Sequence, residues 1–508
     1  MLQAPLNYEA VNPEHLERVQ SPDWNEWRAE RPSLTPDFTE VRLSGADLSG
    51  KNLSGADLSR AKFEGCNLEG ATLSRAHFTG ASLNGSKLDR ADLSETDLDY
   101  LIFERVSFIG ASFRNTTLRS ASVRESVMTA VDMTGAKLDG TDFTATDFSY
   151  GRLLYANFRG AQLDRCVFEG TDLTQAVFDG VTYRNGRFDK ANLTLSFFRD
   201  AKLTGTSFKG AKLQRAVLRG AEANGADFTG ADLSEADFER VVAQAANFSD
   251  AVMRKTSAHR ADFRNATFLG AQMEETDFTG AFLDKIDLRT PKMRLPNFTA
   301  ARLIEANGAR ANLRGSNFTE ADLSGADLSE ANLEGCIMAK VKLARANLRR
   351  ANLKRSRLSG AIAVGANLSG ANLFGIEADD ADFSASDLRF AQLVGAKLDG
   401  AAFKQANIGG ADFSEARLGG ASFVGAFGGN AKFTGQLHLK LVLAASSFIG
   451  SAKKKSEQME REKEAERLAR LATLERNADD RARAMGVRRD SDTPKEQVGS
   501  TPGDPKKG

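Results

Sequence analysis

Three cysteines and four histidines in 508 residues leave little material for a metal centre or a disulfide framework. The histidines, His15, His77, His259 and His438, lie far apart, and no pair has metal-ligand spacing. No Gly-Lys-Ser/Thr phosphate loop occurs. No run of about 18 apolar residues exists, which excludes a membrane-spanning helix on hydropathy. Met1 to Gln20 lacks the basic-then-apolar layout of a secretory signal, so a cytoplasmic protein is expected, with specialised export left open. Lys and Arg together number 68, as do Asp and Glu, so the chain is neither polyanionic nor polycationic. Proline is scarce in the long central part, where only Pro291 and Pro296 occur.

What the chain has instead is a five-residue period running from about Phe38 to Phe433 without losing its place. Most residues counted in fives from Leu43 are large and apolar, chiefly Leu or Phe, and that column holds most of the 33 Phe residues. The surroundings repeat too, as in Ala46-Asp47-Leu48-Ser49-Gly50, Ala311-Asn312-Leu313-Arg314-Gly315 and Ala371-Asn372-Leu373-Phe374-Gly375. A period of five fits neither a helix nor a strand, so the chain must turn once per repeat. Asp, Asn and Gly suit that turn, the first two through local side-chain hydrogen bonds and Gly through positive φ.

The motif resembles the pentapeptide-repeat family. The resemblance implies an all-β solenoid, a right-handed quadrilateral β-helix with four repeats per coil and about 20 coils in this chain. Leu43 and its successors would then be the central inward residues and Ala46 and its equivalents the second inward ones, with the other three positions facing solvent.

Residues 1–37 are expected to form a helical N-terminal cap. Asn12-Pro13-Glu14 reads as a helix start, and both tryptophans, Trp24 and Trp27, lie just before the first repeat. Residues 38–435 form the β-helix. Pro291 and Pro296 at the small inward position, and Gly308 at the central one, single out 286–310 as its least regular part. Ala223, Ala243, Ala258, Ala363 and Ala378 also replace large central residues, with neighbouring Phe side chains expected to fill the space. The alternating Leu437 to Leu443 suggests a cap strand over 436–452. Residues 453–485 read as a charged helix open to self-association, and 486–508 as a disordered tail. Even mixing of acids and bases in that helix disfavours membrane binding.

Cys66, Cys166 and Cys336 take the small inward position and are expected to be buried and free. Carboxylates recur in almost every repeat, so their pairing carries no catalytic signal. An interior filled by Leu and Phe leaves no reaction pocket. No enzyme, cofactor or metal is expected.

Individuality lies on the outward positions. Lys340, Lys342, Arg345, Arg349, Arg350, Lys354, Arg355 and Arg357 form a basic belt without an acidic residue, preceded by the acidic run Glu320, Asp322, Asp327, Glu330 and Glu334. A second acidic stretch spans Glu222 to Glu239. Opposite belts one coil apart attract, so inter-coil pairing competes with docking of an acidic partner. The belt contains no aromatic residue to stack a base, which disfavours nucleic acid. The expected function is a non-enzymatic protein-binding scaffold. Two alternatives stand beside it. Some members of the family resemble DNA in shape and charge and act on DNA gyrase, which requires a strongly negative wall, and other long members are secreted effectors or anchoring proteins.

Overall fold

The computed structural model describes residues 12–434. Two helices come first, α1 (Pro13–Val19) and α2 (Trp24–Ala29). Asn12 caps α1 by accepting the Glu14 N–H at 3.1 Å. Trp24 and Trp27 are buried, and their rings stack at 5.1 Å. The Trp24 indole N–H donates to the Asn52 carbonyl at 2.9 Å, and Arg28 donates to the Ser54 carbonyl at 3.1 Å. These bonds fasten α2 to the first repeats.

From Asp37 onward the chain winds as a β-helix of parallel pairings between residues 20 apart. Most are single bridges. Three pairs are long enough to be named strands: β1 (Arg42–Ser44) with β2 (Lys62–Glu64), β3 (Gln272–Glu274) with β4 (Lys292–Arg294), and β5 (Asp412–Phe413) with β6 (Lys432–Phe433). Leu48 N–H donates to the Asn67 carbonyl at 2.7 Å and Asn67 N–H to the Ala46 carbonyl at 2.9 Å, a pattern that recurs along the stack. One turn bond closes each repeat, such as Ala71 N–H to the Leu68 carbonyl at 3.0 Å.

Central and small residues are buried as the motif requires, and the register stacks like on like. Phe148, Phe168, Phe188, Phe208, Phe228, Phe248 and Phe268 form one continuous column with ring centroids 4.8–5.2 Å apart. That interval is the spacing of hydrogen-bonded strands, so the ladder itself sets the ring stacking. Ala223 and Ala243 are fully buried beside this column. At Gly308 the Leu328 side chain takes up the space, with its Cδ2 2.9 Å from where a Cβ would sit.

The turn chemistry follows the sequence expectation for Asp, Asn and Gly and adds one feature, that residues other than Gly also take positive φ. Positive φ falls on the last residue of each repeat, at every fifth position from Glu40 to Asn430 except Thr290, with values of 51–74°. Gly holds many of these corners, but Arg, Glu, Lys, Tyr, Leu and Phe hold others. The Asp or Asn instead occupies the bridge position. Its side chain caps the turn, as when Asp47 accepts the Ser49 N–H at 3.1 Å.

Polar residues at the small inward position follow a rule of their own. In most of them the hydroxyl or thiol donates to the carbonyl of the central residue 23 positions earlier, as in Thr276 to Met253 at 2.6 Å, Ser356 to Leu333 at 2.7 Å and Cys336 to Leu313 at 3.0 Å, whereas Thr96, Ser196 and Ser386 donate to the carbonyl three residues earlier. Tyr183, a buried central residue, inserts its hydroxyl into the ladder. It accepts the Arg187 N–H at 2.7 Å and donates to the Cys166 carbonyl at 2.7 Å. Gly186 makes this possible, since a Cβ there would lie 2.0 Å from the ring. The expected cap strand (436–452), charged helix (453–485) and tail (486–508) lie outside the described residues.

Candidate functional site

The basic stretch occupies one coil. Lys340, Arg345, Arg350 and Arg355 are its successive corners, with φ of 55°, 57°, 56° and 59°, and all four are exposed. The next coil carries Gly360, Gly365, Gly370 and Gly375 at the same corners, so it places no side chain over the basic ones. The Cγ atoms of Lys340, Arg345 and Arg350 lie 3.5, 3.9 and 3.4 Å from where Cβ atoms on Gly360, Gly365 and Gly370 would sit. The first side-chain carbons of these three residues therefore abut the open glycine corners of the next coil.

Pairing divides the eight residues. Lys340 reaches Glu320 at 3.6 Å, Lys342 reaches Asp322 at 4.0 Å and Arg357 reaches Glu377 at 3.6 Å. Glu377 also takes Lys397 at 2.7 Å; that hydrogen bond, then the Lys397 charge, with a contribution from Arg357, holds its carboxyl below the usual range. Lys354 Nζ sits 5.6 Å from the Phe374 ring centroid, a cation–π contact. Arg345, Arg349, Arg350 and Arg355 have no side-chain partner among the described residues.

The acids that might have neutralised these four are engaged elsewhere. Glu330 pairs with Arg310 at 2.9 Å and Glu334 with Arg314 at 4.0 Å, both on the coil before. Asp327 accepts the Asn347 amide at 2.9 Å. The Glu222 to Glu239 stretch is largely paired as well: Asp227 with Lys209 at 3.2 Å, Glu235 with Arg215 at 2.8 Å, and both Asp237 and Glu239 with Arg219 at 3.0 Å.

Because the chain turns at each corner, the eight basic residues do not share one surface. Arg345, Arg349 and Arg350 bracket the side formed by residues 346–350. Lys354 and Arg355 belong to the following side, Lys342 to the side before it, and Lys340 and Arg357 to the fourth, on successive coils. The reading of a belt without aromatic residues needs correction. The register brings Phe374, 43% exposed, from the next coil to Lys354, at a separation of 20 in sequence that a local window does not cover.

Other reactive groups are held in structural roles. Cys66, Cys166 and Cys336 are free and buried. Burial raises all three thiol pKa values, that of Cys336 to about 12. Ser257 Oγ lies 3.2 Å from His259 Nδ1, and His259 Nε2 lies 2.8 Å from Asp277 Oδ2. This row was not legible in the sequence, because Asp277 belongs to the coil above. It lies on the outer wall, with the His259 and Asp277 side chains 43% and 34% exposed, and acts as an inter-coil hydrogen-bond chain. Among the described residues no cluster of His, Cys, Asp and Glu could hold a metal ion, and no helix is long and apolar enough to cross a membrane.

Comparison with known proteins agrees with the coil geometry. Pentapeptide repeats match residues 37–75, 76–115, 184–220, 224–257, 244–280, 259–290, 297–335, 336–375 and 379–414, and a Pentapeptide repeat region matches residues 101–178. Among solved structures, HetL, a pentapeptide repeat protein involved in heterocyst differentiation regulation in the cyanobacterium Nostoc, is 23% identical. That match covers 48% of this chain and 94% of HetL, with a TM-score of 0.19. A pentapeptide repeat protein of the Arabidopsis thaliana thylakoid lumen is 32% identical over 21% of this chain and 70% of its own, with a TM-score of 0.11. QnrB1, a plasmid-mediated fluoroquinolone resistance protein, is 18% identical over 53% of this chain and 97% of its own, with a TM-score of 0.13. No curated protein matches closely. With repeat matches over more than half of its length, the chain belongs to the pentapeptide repeat family.

Proposed function

We propose that this protein is a non-enzymatic, cytoplasmic binding scaffold, and that the side bracketed by Arg345, Arg349 and Arg350 docks an acidic protein partner. The scaffold is a right-handed quadrilateral β-helix of about 20 coils, capped at its N-terminal end by α1 and α2. One observation carries the docking reading: these three arginines have no side-chain partner among the described residues, while the nearby acids are occupied. Unpaired guanidinium groups on a preformed wall bind carboxylates without the cost of ordering a loop. The charged segment 453–485 is a second, separable docking element, suited to self-association.

The test is capture of lysate proteins on the immobilised full chain. Arg345→Glu/Arg349→Glu/Arg350→Glu is compared with Arg75→Glu/Arg215→Glu/Arg310→Glu, which reverses arginines already paired with Glu95, Glu235 and Glu330. An acidic protein lost only with the first variant supports the reading. Capture that survives it, that both variants abolish, or that nuclease treatment removes would overturn it.

A further inference from the structure

One segment departs from the 20-residue coil in several independent ways. Thr290 is the β-branched residue in the corner column and also the corner without positive φ, a conformation that β-branched side chains resist. Pro291 and Pro296 follow at the two positions whose N–H would close a turn onto the Leu288 and Met293 carbonyls, and proline has no N–H to give. The parallel bridges lapse on both sides of this stretch, between Thr267 and Asp287 below and between Lys292 and Asn312 above. The N–H groups of Met293, Leu295 and Asn312 make no ladder bond. Met293 is half-buried, whereas the central residues Leu288 and Phe298 on either side of it are enclosed, and Leu295 is 50% exposed.

The disturbance reaches the next coil. Ser316 stands in the same column as Thr276, Cys336 and Ser356, whose hydroxyl or thiol bonds a carbonyl 23 residues earlier. For Ser316 that carbonyl is Met293, and the Ser316 hydroxyl is buried with no partner. The ladder also lapses between Ser82 and Ile102, but there the neighbouring corners Tyr100 and Arg105 keep positive φ and no proline intervenes.

We propose that the segment from Asp287 to Pro296 is a breach in the β-helix. Local opening begins there and separates the repeats into two cooperative units, one ending at the breach and the other beginning after it and bearing the arginine side. Repeat stacks hold together through nearest-neighbour contacts, so the weakest coil interface sets where such a stack divides. The inference is independent of what the arginines bind.

Amide hydrogen exchange on the full chain, read by mass spectrometry, tests it. Peptides covering 286–297 and 311–317 are expected to exchange about tenfold or more faster than those covering 326–337 and 351–357. Within residues 38–434, brief trypsin treatment is expected to cut first at Arg289, Lys292 or Arg294. The repair variant Thr290→Gly/Pro291→Ala/Pro296→Ala restores a corner free to take positive φ and two turn donors, and is expected to slow exchange to that of the neighbouring coils. Equal exchange in the unmodified chain, or fast exchange persisting in the repaired one, overturns the proposal.

Discussion

The coil holding Thr290 and the coil with corners Lys340, Arg345, Arg350 and Arg355 share one scaffold and answer to it differently. In the basic coil every corner has positive φ, and every small residue closes its turn: Val341 to Met338 at 3.2 Å, and Ala346 to Leu343, Ala351 to Leu348 and Ser356 to Leu353 at 3.0 Å each. Four basic corners leave the backbone undisturbed. One threonine and two prolines coincide with the loss of two bridges and an orphaned hydroxyl. The fold is permissive about outward chemistry and strict about which backbone can turn. Function can therefore be written on the corners in charge, while regularity is controlled by β-branching and proline.

The largest expected effect comes from moving the defect. Arg350→Thr with Ala351→Pro places a β-branched corner and a missing turn donor in a regular coil. The loss should be about 3 kcal/mol or more. A lowered urea midpoint with rapid exchange over residues 346–356 is the expected outcome; an unchanged protein would mean that these two features do not make the breach.

A smaller contrast uses one substitution at two places in the same column. Ser356→Ala removes a bond to the Leu333 carbonyl and should cost about 1 kcal/mol, whereas Ser316→Ala removes a buried hydroxyl without a partner and should be neutral or stabilising by about 1 kcal/mol. Denaturation midpoints moving in the same direction by similar amounts would dissolve the contrast. The smallest effect belongs to the arginines. Arg345→Ala, Arg349→Ala and Arg350→Ala should each alter stability by no more than about 0.5 kcal/mol, since these exposed side chains hold no partner among the described residues. A larger loss by thermal or urea unfolding would show that they support the coil and are not simply presented by it.

The motif made much of the fold legible. The resemblance implied that the large residue of each repeat, such as Leu58, and the small one, such as Ala56, turn inward, and the same reading placed Cys66, Cys166 and Cys336 in the interior, where they are free and buried. It was less informative about side chains that act across coils. Lys354 with Phe374, His259 with Asp277, and Glu330 with Arg310 rather than with the adjacent belt are pairs 18 to 20 residues apart in sequence, and which of two flanking coils a long side chain chooses is not written in either segment. Tyr183 is a sharper case: the sequence shows an unusual central residue and an unusual Gly186, but not that the phenol enters the ladder between Arg187 and Cys166.

Periodicity alone determined that this chain coils and that a large and a small side chain of each repeat turn inward, because a hydrophobic period of five admits few ways to bury one face. The tertiary structure decided which charges remain unpaired and where the ladder fails. Both depend on distances between neighbouring coils, where a guanidinium either meets a carboxylate within about 4 Å or does not, and where one carbonyl out of register leaves the hydroxyl above it without an acceptor.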